Sequence, residues 1–140
     1  MRKIAADSGP LIALFDRDDS QHGRVLRFFE SYQGRVYTTW PVMTEVSHLL
    51  GFSVDTQLNF LNWVKRGGVS VVELPEAALA QLIDLMAKYR DRPMDLADAS
   101  LMLLAMETGI RDIISLDSDF DFYRLPNKAR LNNLLTKRER

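Results

Sequence analysis

Short apolar runs alternate with helical segments along most of the chain, and that alternation restricts the fold more than any other feature. Lys3-Ile4-Ala5-Ala6 reads as a buried strand that ends at Asp7. Ser8-Gly9-Pro10 turns the chain, and Pro10 suits the first turn of a helix through Leu11, Ile12, Leu14 and Phe15. Asp18-Asp19-Ser20 interrupts with helix-capping residues before a second helix through Val25, Leu26, Phe28 and Phe29, which Gly34 closes. The β-branched and aromatic content of Arg35–Thr39 predicts a strand. A helix follows from Pro41 to about Leu50, with Gly51 at its end, and another from Thr56 to Lys65, stopped by Gly67-Gly68. Val69–Leu74 is the next strand, and Pro75-Glu76 opens a long helix ending near Arg90. Asp95–Thr108 is a helix closed by Gly109, and Asp112–Leu116 is a strand that delivers Asp117. Ala129–Leu135 fits either a last strand or a short helix, before the basic end Lys137-Arg138-Glu139-Arg140.

Strands that alternate with helices imply a parallel sheet covered on both faces. With 140 residues, 46% of them hydrophobic and 26% charged, residues 1–140 are expected to form one domain around one core. No apolar run approaches the roughly 20 residues that span a bilayer, and Met1-Arg2-Lys3-Ile4 lacks the pattern of a signal peptide. The chain has no cysteine, which excludes disulfides, thiolate zinc sites and thiol catalysis. The simplest expectation is a cytoplasmic protein with no membrane attachment. A net charge of −1 neither supports nor excludes a nucleic-acid partner, because acids gathered in one site would leave the remaining surface basic.

The acidic residues carry the chemical signal. Asp7 and Asp117 each follow an apolar strand, so both are expected at the carboxyl edge of the sheet, where α/β folds place their active sites. Either one alone also reads as a cap or turn residue. Glu45 falls on the stripe formed by Val42, Val46 and Leu49 of its helix. A carboxylate facing a core must be paired, protonated or metal-bound, unless it lies at the stripe's edge and reaches water or an arginine. Asp95 and Asp98 share a face at the start of their helix, where acids complement the helix dipole. Capping accounts for Asp95 in part, but poorly for Asp98, which has small neighbours in Ala97 and Ala99. Several carboxylates in one cleft repel one another, and a divalent cation removes the conflict. Oxygen ligands of this kind suit Mg2+ or Mn2+, which can activate water and offset charge on a phosphodiester without a catalytic His, Ser or Cys.

Four segments, Ala6-Asp7-Ser8-Gly9-Pro10-Leu11-Ile12-Ala13-Leu14, Thr44-Glu45-Val46, Pro93-Met94-Asp95-Leu96-Ala97-Asp98-Ala99-Ser100-Leu101 and Ser115-Leu116-Asp117-Ser118-Asp119-Phe120, occur in an order and spacing that resemble the PIN-domain ribonucleases. The likeness is greatest to the VapC-like toxins of type II toxin–antitoxin systems, and it covers nearly the whole chain. It implies a Rossmann-like three-layer α/β/α sandwich with a central parallel sheet. It also implies an endoribonuclease using Mg2+ or Mn2+, with Asp7, Glu45, Asp98 and Asp117 as the main acids and metal ligands. Asp95 and Asp119 match accessory acids, and Ser8 and Ser115 match hydroxyl residues that steady the carboxylates or water. An RNA substrate, a small antitoxin and a homodimer are implied as partners. A PIN nuclease with no antitoxin and a non-catalytic PIN-like interaction module are the alternatives. A phosphatase is disfavoured by Gly9, which stands two residues after Asp7 where that class needs a second Asp.

Other features carry less. His22 reads as a surface or capping residue, and His48, one turn after Glu45, as a partly buried structural one. Arg90, Arg92, Arg111 and Arg124 are phosphate-binding candidates, none preferred. Trp40, Phe52, Phe60 and Trp63 are candidates for a dimer or antitoxin surface, although core packing explains most of them.

Overall fold

The computed structural model describes residues 1–135. Five strands, β1 (Arg2–Ala6), β2 (Gly34–Thr39), β3 (Ser70–Val72), β4 (Asp112–Ile114) and β5 (Asn132–Asn133), form one sheet in the order β3-β2-β1-β4-β5. Every pairing is parallel. The helices are α1 (Ser8–Phe15), α2 (His22–Ser31), α3 (Trp40–Leu49), α4 (Val54–Lys65), α5 (Leu79–Lys88), α6 (Leu96–Thr108) and the short α7 (Asp119–Phe122). The chain moves outward from β1 to β2 and β3, then returns to lay β4 against the other side of β1. Right-handed crossovers therefore carry α1–α4 over one face and α5–α6 over the other, giving the expected α/β/α sandwich. The reversal also makes the carboxyl end of β1, beside β4, the topological switch point.

The core lies on both sides of β1. Ile4, Ala5, Ala6, Ile113 and Ile114 are fully buried, as are Leu101, Met102, Leu103, Leu104 and Ala105 in succession along α6. A helix buried on every side needs apolar residues all round, which α6 has from Leu101 to Ala105. It starts at the Asp95 cap and ends at Gly109, whose φ of 80° is the left-handed conformation that closes helices.

Several boundaries differ from expectation, each for a local reason. Helix α1 begins at Ser8 rather than Pro10, because Asp7 itself caps it. Gly34 does not close α2, which stops at Ser31 with Tyr32 as its cap; it opens β2 instead. A Cβ there would lie 2.6 Å from both the Arg2 carbonyl and the Tyr32 hydroxyl, so only glycine fits the approach of β2 to β1. Strand β3 keeps only Ser70–Val72, and the helix expected from Pro75 opens with a 3-10 turn, Glu76–Ala78. Strand β4 stops at Ile114, because the Asn133 side chain takes over the next backbone groups. Its Oδ1 accepts from the Ser115 N–H at 3.2 Å and its Nδ2 donates to the Ser115 carbonyl at 3.1 Å. The tail resolves as the two-residue strand β5, while the basic stretch 137–140 lies outside the described residues. Among the described residues, no helix is long and apolar enough to cross a membrane.

The aromatic set divides. Phe60 is fully buried and Trp63 packs edge-on against Phe15 and Phe29, whereas Trp40 and Phe52 face outward. Core truncation should separate from surface truncation in chemical denaturation. Leu104→Ala is expected to cost about 2–5 kcal/mol, and Ile83→Ala, on the exposed side of α5, less than about 0.5 kcal/mol.

Candidate active site

Parallel pairing puts Ala6 opposite Ile114, so β1 and β4 end together. The Asp7 N–H still donates to the Ile114 carbonyl, at 3.0 Å, and the chain then turns directly into α1. Asp7 Oδ1 accepts from the Ser8 N–H at 2.8 Å, and Oδ2 accepts from the Ser115 hydroxyl at 2.9 Å. Ser8 thus meets Asp7 through its backbone. The Ser115 oxygen also accepts from the Asp117 N–H at 3.3 Å, so one hydroxyl joins the ends of both strands. Beyond it, Asp117 Oδ1 accepts from the Asp119 N–H at 2.9 Å, which turns the chain into α7.

Side-chain hydroxyls also fasten this edge from the β2 side. Thr38 donates to the Ala6 carbonyl at 2.8 Å. The Ser100 hydroxyl donates to the Ala97 carbonyl at 2.6 Å, which leaves Thr39 to donate to Ser100, also at 2.6 Å. The start of α6 is thereby held against the end of β2, and Asp98 is delivered to the acid cluster. Asp95 lies exposed at the rim and caps α6, its Oδ1 accepting from the Asp98 N–H at 2.8 Å. Asp98 is half-buried, with Oδ2 accepting from the Tyr123 hydroxyl at 3.3 Å.

Glu45 is half-buried beside the fully buried Val42 and Val46, but Leu49 is exposed, so the apolar stripe is narrower than its spacing suggests. Glu45 stands at the edge of that stripe and faces the site. His48 is exposed rather than partly buried; with Trp40, Thr44, Glu45, Asp95 and Leu96 it lines a concavity of about 640 Å3 beside the acids. His22 is structural, its Nδ1 lying 2.7 Å from the Ala13 carbonyl, and ties α2 to α1.

Burial and like charge dominate the electrostatics. Asp7, 4% exposed, has its pKa pushed up to about 7. Desolvation is the main cause, opposed by the Ser115 and Ser8 hydrogen bonds and reinforced by Asp117 and Glu45. Asp98 is pushed up to about 8 by desolvation, then by Asp7, Asp95 and Asp117, with Tyr123 acting in the opposite direction. Asp7, Glu45, Asp95, Asp98 and Asp117 therefore share one field, and a cation placed among them would relieve it. They do not form a closed cage: among the described residues, no group of three or more His, Asp or Glu converges tightly enough to enclose a bare ion. Mg2+ usually keeps several waters and takes only one or two carboxylates, so acids of this kind can serve it without a closed cage.

The arginines also divide. Arg111 donates to the Ala105 and Ile110 carbonyls, and Arg124 to the carbonyls of Asp121, Phe122 and Tyr123, so both close local backbone. Arg92 pairs with Asp119 at 3.1 Å and lies over the Phe122 ring. That pair and the Tyr123 contact carried no sequence signal, because each joins segments through the turn around α7, which has no periodic pattern.

The sequence profile of the PIN domain matches residues 4–127, a span that includes every acid of the cluster. The chain belongs to the PIN domain family. It is similar to the ribonuclease VapC26 of Mycobacterium tuberculosis, with 26% identity over 113 residues, covering 79% of this chain and 84% of that protein. Its fold is that of the M. tuberculosis toxin VapC20, which cleaves the sarcin–ricin loop: the TM-score is 0.78 at 20% identity, covering 91% of this chain and 98% of the other. The all-parallel PIN-like sheet is common to this chain and that toxin.

Both raised pKa values lie above the ordinary carboxylate value of 3.8, so between pH 4 and 8 the folded chain binds more protons than the unfolded one. Stability contributed by the neutral forms is present at low pH and lost as pH rises through about 7 and 8. EDTA-treated protein should therefore melt at a lower temperature at pH 8 than at pH 5.5, and Asp98→Asn should flatten that difference. A melting temperature that climbs over this interval would contradict the charge arrangement.

Proposed function

We propose that this PIN domain is a metal-dependent endoribonuclease that hydrolyses RNA phosphodiester bonds, the toxin of a toxin–antitoxin pair. The observation that carries this reading is the burial of Asp7 at the switch point, in the same field as Asp98, Asp117 and Glu45. Such an arrangement is costly to the fold unless a cation uses it. Asp7, Glu45, Asp98 and Asp117 would hold Mg2+ or Mn2+, with Asp95 and Asp119 as accessories. The ion, when bound, polarises a phosphoryl oxygen and makes a bound water more acidic.

The remaining contributions come from the chain. Asp7 is held rigid by a donor on each oxygen, and each oxygen keeps a further lone pair for a cation. Ser115 keeps Asp7 and Asp117 in register by donating to one and accepting from the backbone of the other. The concavity flanked by Trp40 and His48 gives a nucleotide next to the scissile phosphate an apolar wall, as single-stranded RNA requires. RNA as substrate and the toxin role are supported by the ribonuclease and toxin to which the chain is similar.

A second copy of the chain and a small antitoxin are the proposed protein partners, acting in the cytoplasm. Trp40, Leu49, Phe52, Val54, Leu58 and Leu61 are all exposed along the α3–α4 hairpin, and apolar surface of that extent favours a protein contact. Phe52→Glu with Leu58→Glu should convert a dimer to a monomer in size-exclusion chromatography, and a mass unaltered by the pair would refute that surface.

The catalytic reading is tested with purified protein and RNA. Cleavage should require Mg2+ or Mn2+ and stop on adding EDTA. Asp7→Asn and Asp98→Asn should each reduce it by roughly 100-fold or more, because each removes charge facing the reacting centre. Asp98→Asn relieves repulsion, so at pH 8 its metal-free form should melt no lower than wild type, whereas Asp7→Asn also turns an amide N–H toward one of the two donors that Asp7 accepts from and should melt lower. Undiminished cleavage by either variant would overturn the site.

A further inference from the structure

We propose that Tyr123 is a positioning residue for Asp98, its hydroxyl taking Oδ2 so that Asp98 presents its other oxygen to a divalent cation. The proposal rests on the metal-dependent reading above and adds a residue to it. Tyr123 is fully buried, and its ring meets Tyr89, Phe120 and Phe122 edge-on, at centroid distances of 5.0, 5.4 and 6.3 Å. The ring's position is therefore set by packing, and the hydroxyl is a donor fixed in place independently of Asp98.

That hydroxyl lies 3.3 Å from Asp98 Oδ2 and 3.3 Å from the Pro93 carbonyl. It has one proton to give, and a carboxylate competes for it better than a peptide carbonyl. Pro93 offers the alternative acceptor, so the buried hydroxyl is satisfied whether or not Asp98 takes it. The backbone of Asp98 is held separately, by the Asp95 cap. Asp95 thus fixes where Asp98 leaves α6, and Tyr123 fixes how its carboxylate turns. A contact of 3.3 Å is long for an O–H donor, and bonds of this kind shorten when the site is loaded.

Filling the core needs the ring but not the hydroxyl, so Tyr123→Phe separates the two roles. Tyr89, in the same aromatic cluster, is the control: its hydroxyl accepts from the Arg124 N–H at 2.7 Å and does not touch the acids. Mn2+ is titrated into the EDTA-treated full chain by calorimetry, without RNA, and metal-free melting is recorded in parallel. Tyr123→Phe should bind Mn2+ about tenfold more weakly, the loss typical of a group that orients a metal ligand. Its melting temperature without metal should match that of wild type, and its cleavage rate should recover as Mn2+ is raised, with KM for RNA unchanged. Tyr89→Phe should leave Mn2+ affinity unaltered whatever it does to stability. Equal Mn2+ affinity in wild type and Tyr123→Phe overturns this proposal and leaves the nuclease reading standing. Wild-type protein that binds no Mn2+ overturns the metal-dependent reading, and this proposal with it.

Discussion

A carboxylate at the end of the central strand sits where the sheet is most enclosed, and the neighbouring elements are arranged around that constraint. Asp7 lies between β4 and the first turn of α1 and is almost wholly withdrawn from water. Its oxygens receive a backbone N–H and a serine hydroxyl, and the start of α1 presents the positive end of its dipole. These contacts lower the cost of burial without removing it, since the pKa still rises to about 7. Two further features mark the edge: hydroxyl residues stand at the end of β2, Thr38 and Thr39, and just past β4, Ser115, and α1 begins with the small residues Ser8 and Gly9, which allow close approach.

Helix α6 connects this edge to the stability of the whole domain. Over Leu101–Ala105 it is wholly buried in the core, and that anchoring gives Asp98, about one turn earlier, its place beside Asp7. The same helix therefore supplies much of the core and one of its most unfavourable charges. The proposed cation would offset that cost, and the proposal accounts for the opposite effects expected of Asp98→Asn on stability and on activity.

The topology makes the site possible. Because the chain reverses direction beside β1, two strands far apart in sequence end side by side. Hydroxyl and amide side chains finish that edge. Ser115 and Asn133 end the ladder after Ile114, and Asp117 is carried into a turn leading to α7 rather than being presented directly by a strand.

Most of the fold was legible in the sequence, because strand and helix periods, caps and glycine stops are local signals. The α/β class, the parallel sheet and the order of the elements follow from them, as does the placement of Asp7 at a strand end. Asp95 and Asp98 were readable as acids three residues apart at a helix start, although Asp95 proved to be the extended cap and only Asp98 a helical residue. What periodicity could not supply were contacts between distant segments: the hydroxyl joining Asp7 to Asp117, Tyr123 against Asp98, and Arg92 against Asp119. Nor could it decide which side of α3 meets the core, so Leu49 and His48 proved exposed while Glu45 stayed half-buried. Local sequence determines which residues can form an element and where it stops. How deeply each carboxylate is buried, and which donor meets it, depends on the packing of elements far apart in the chain, and that was decided only by the tertiary structure.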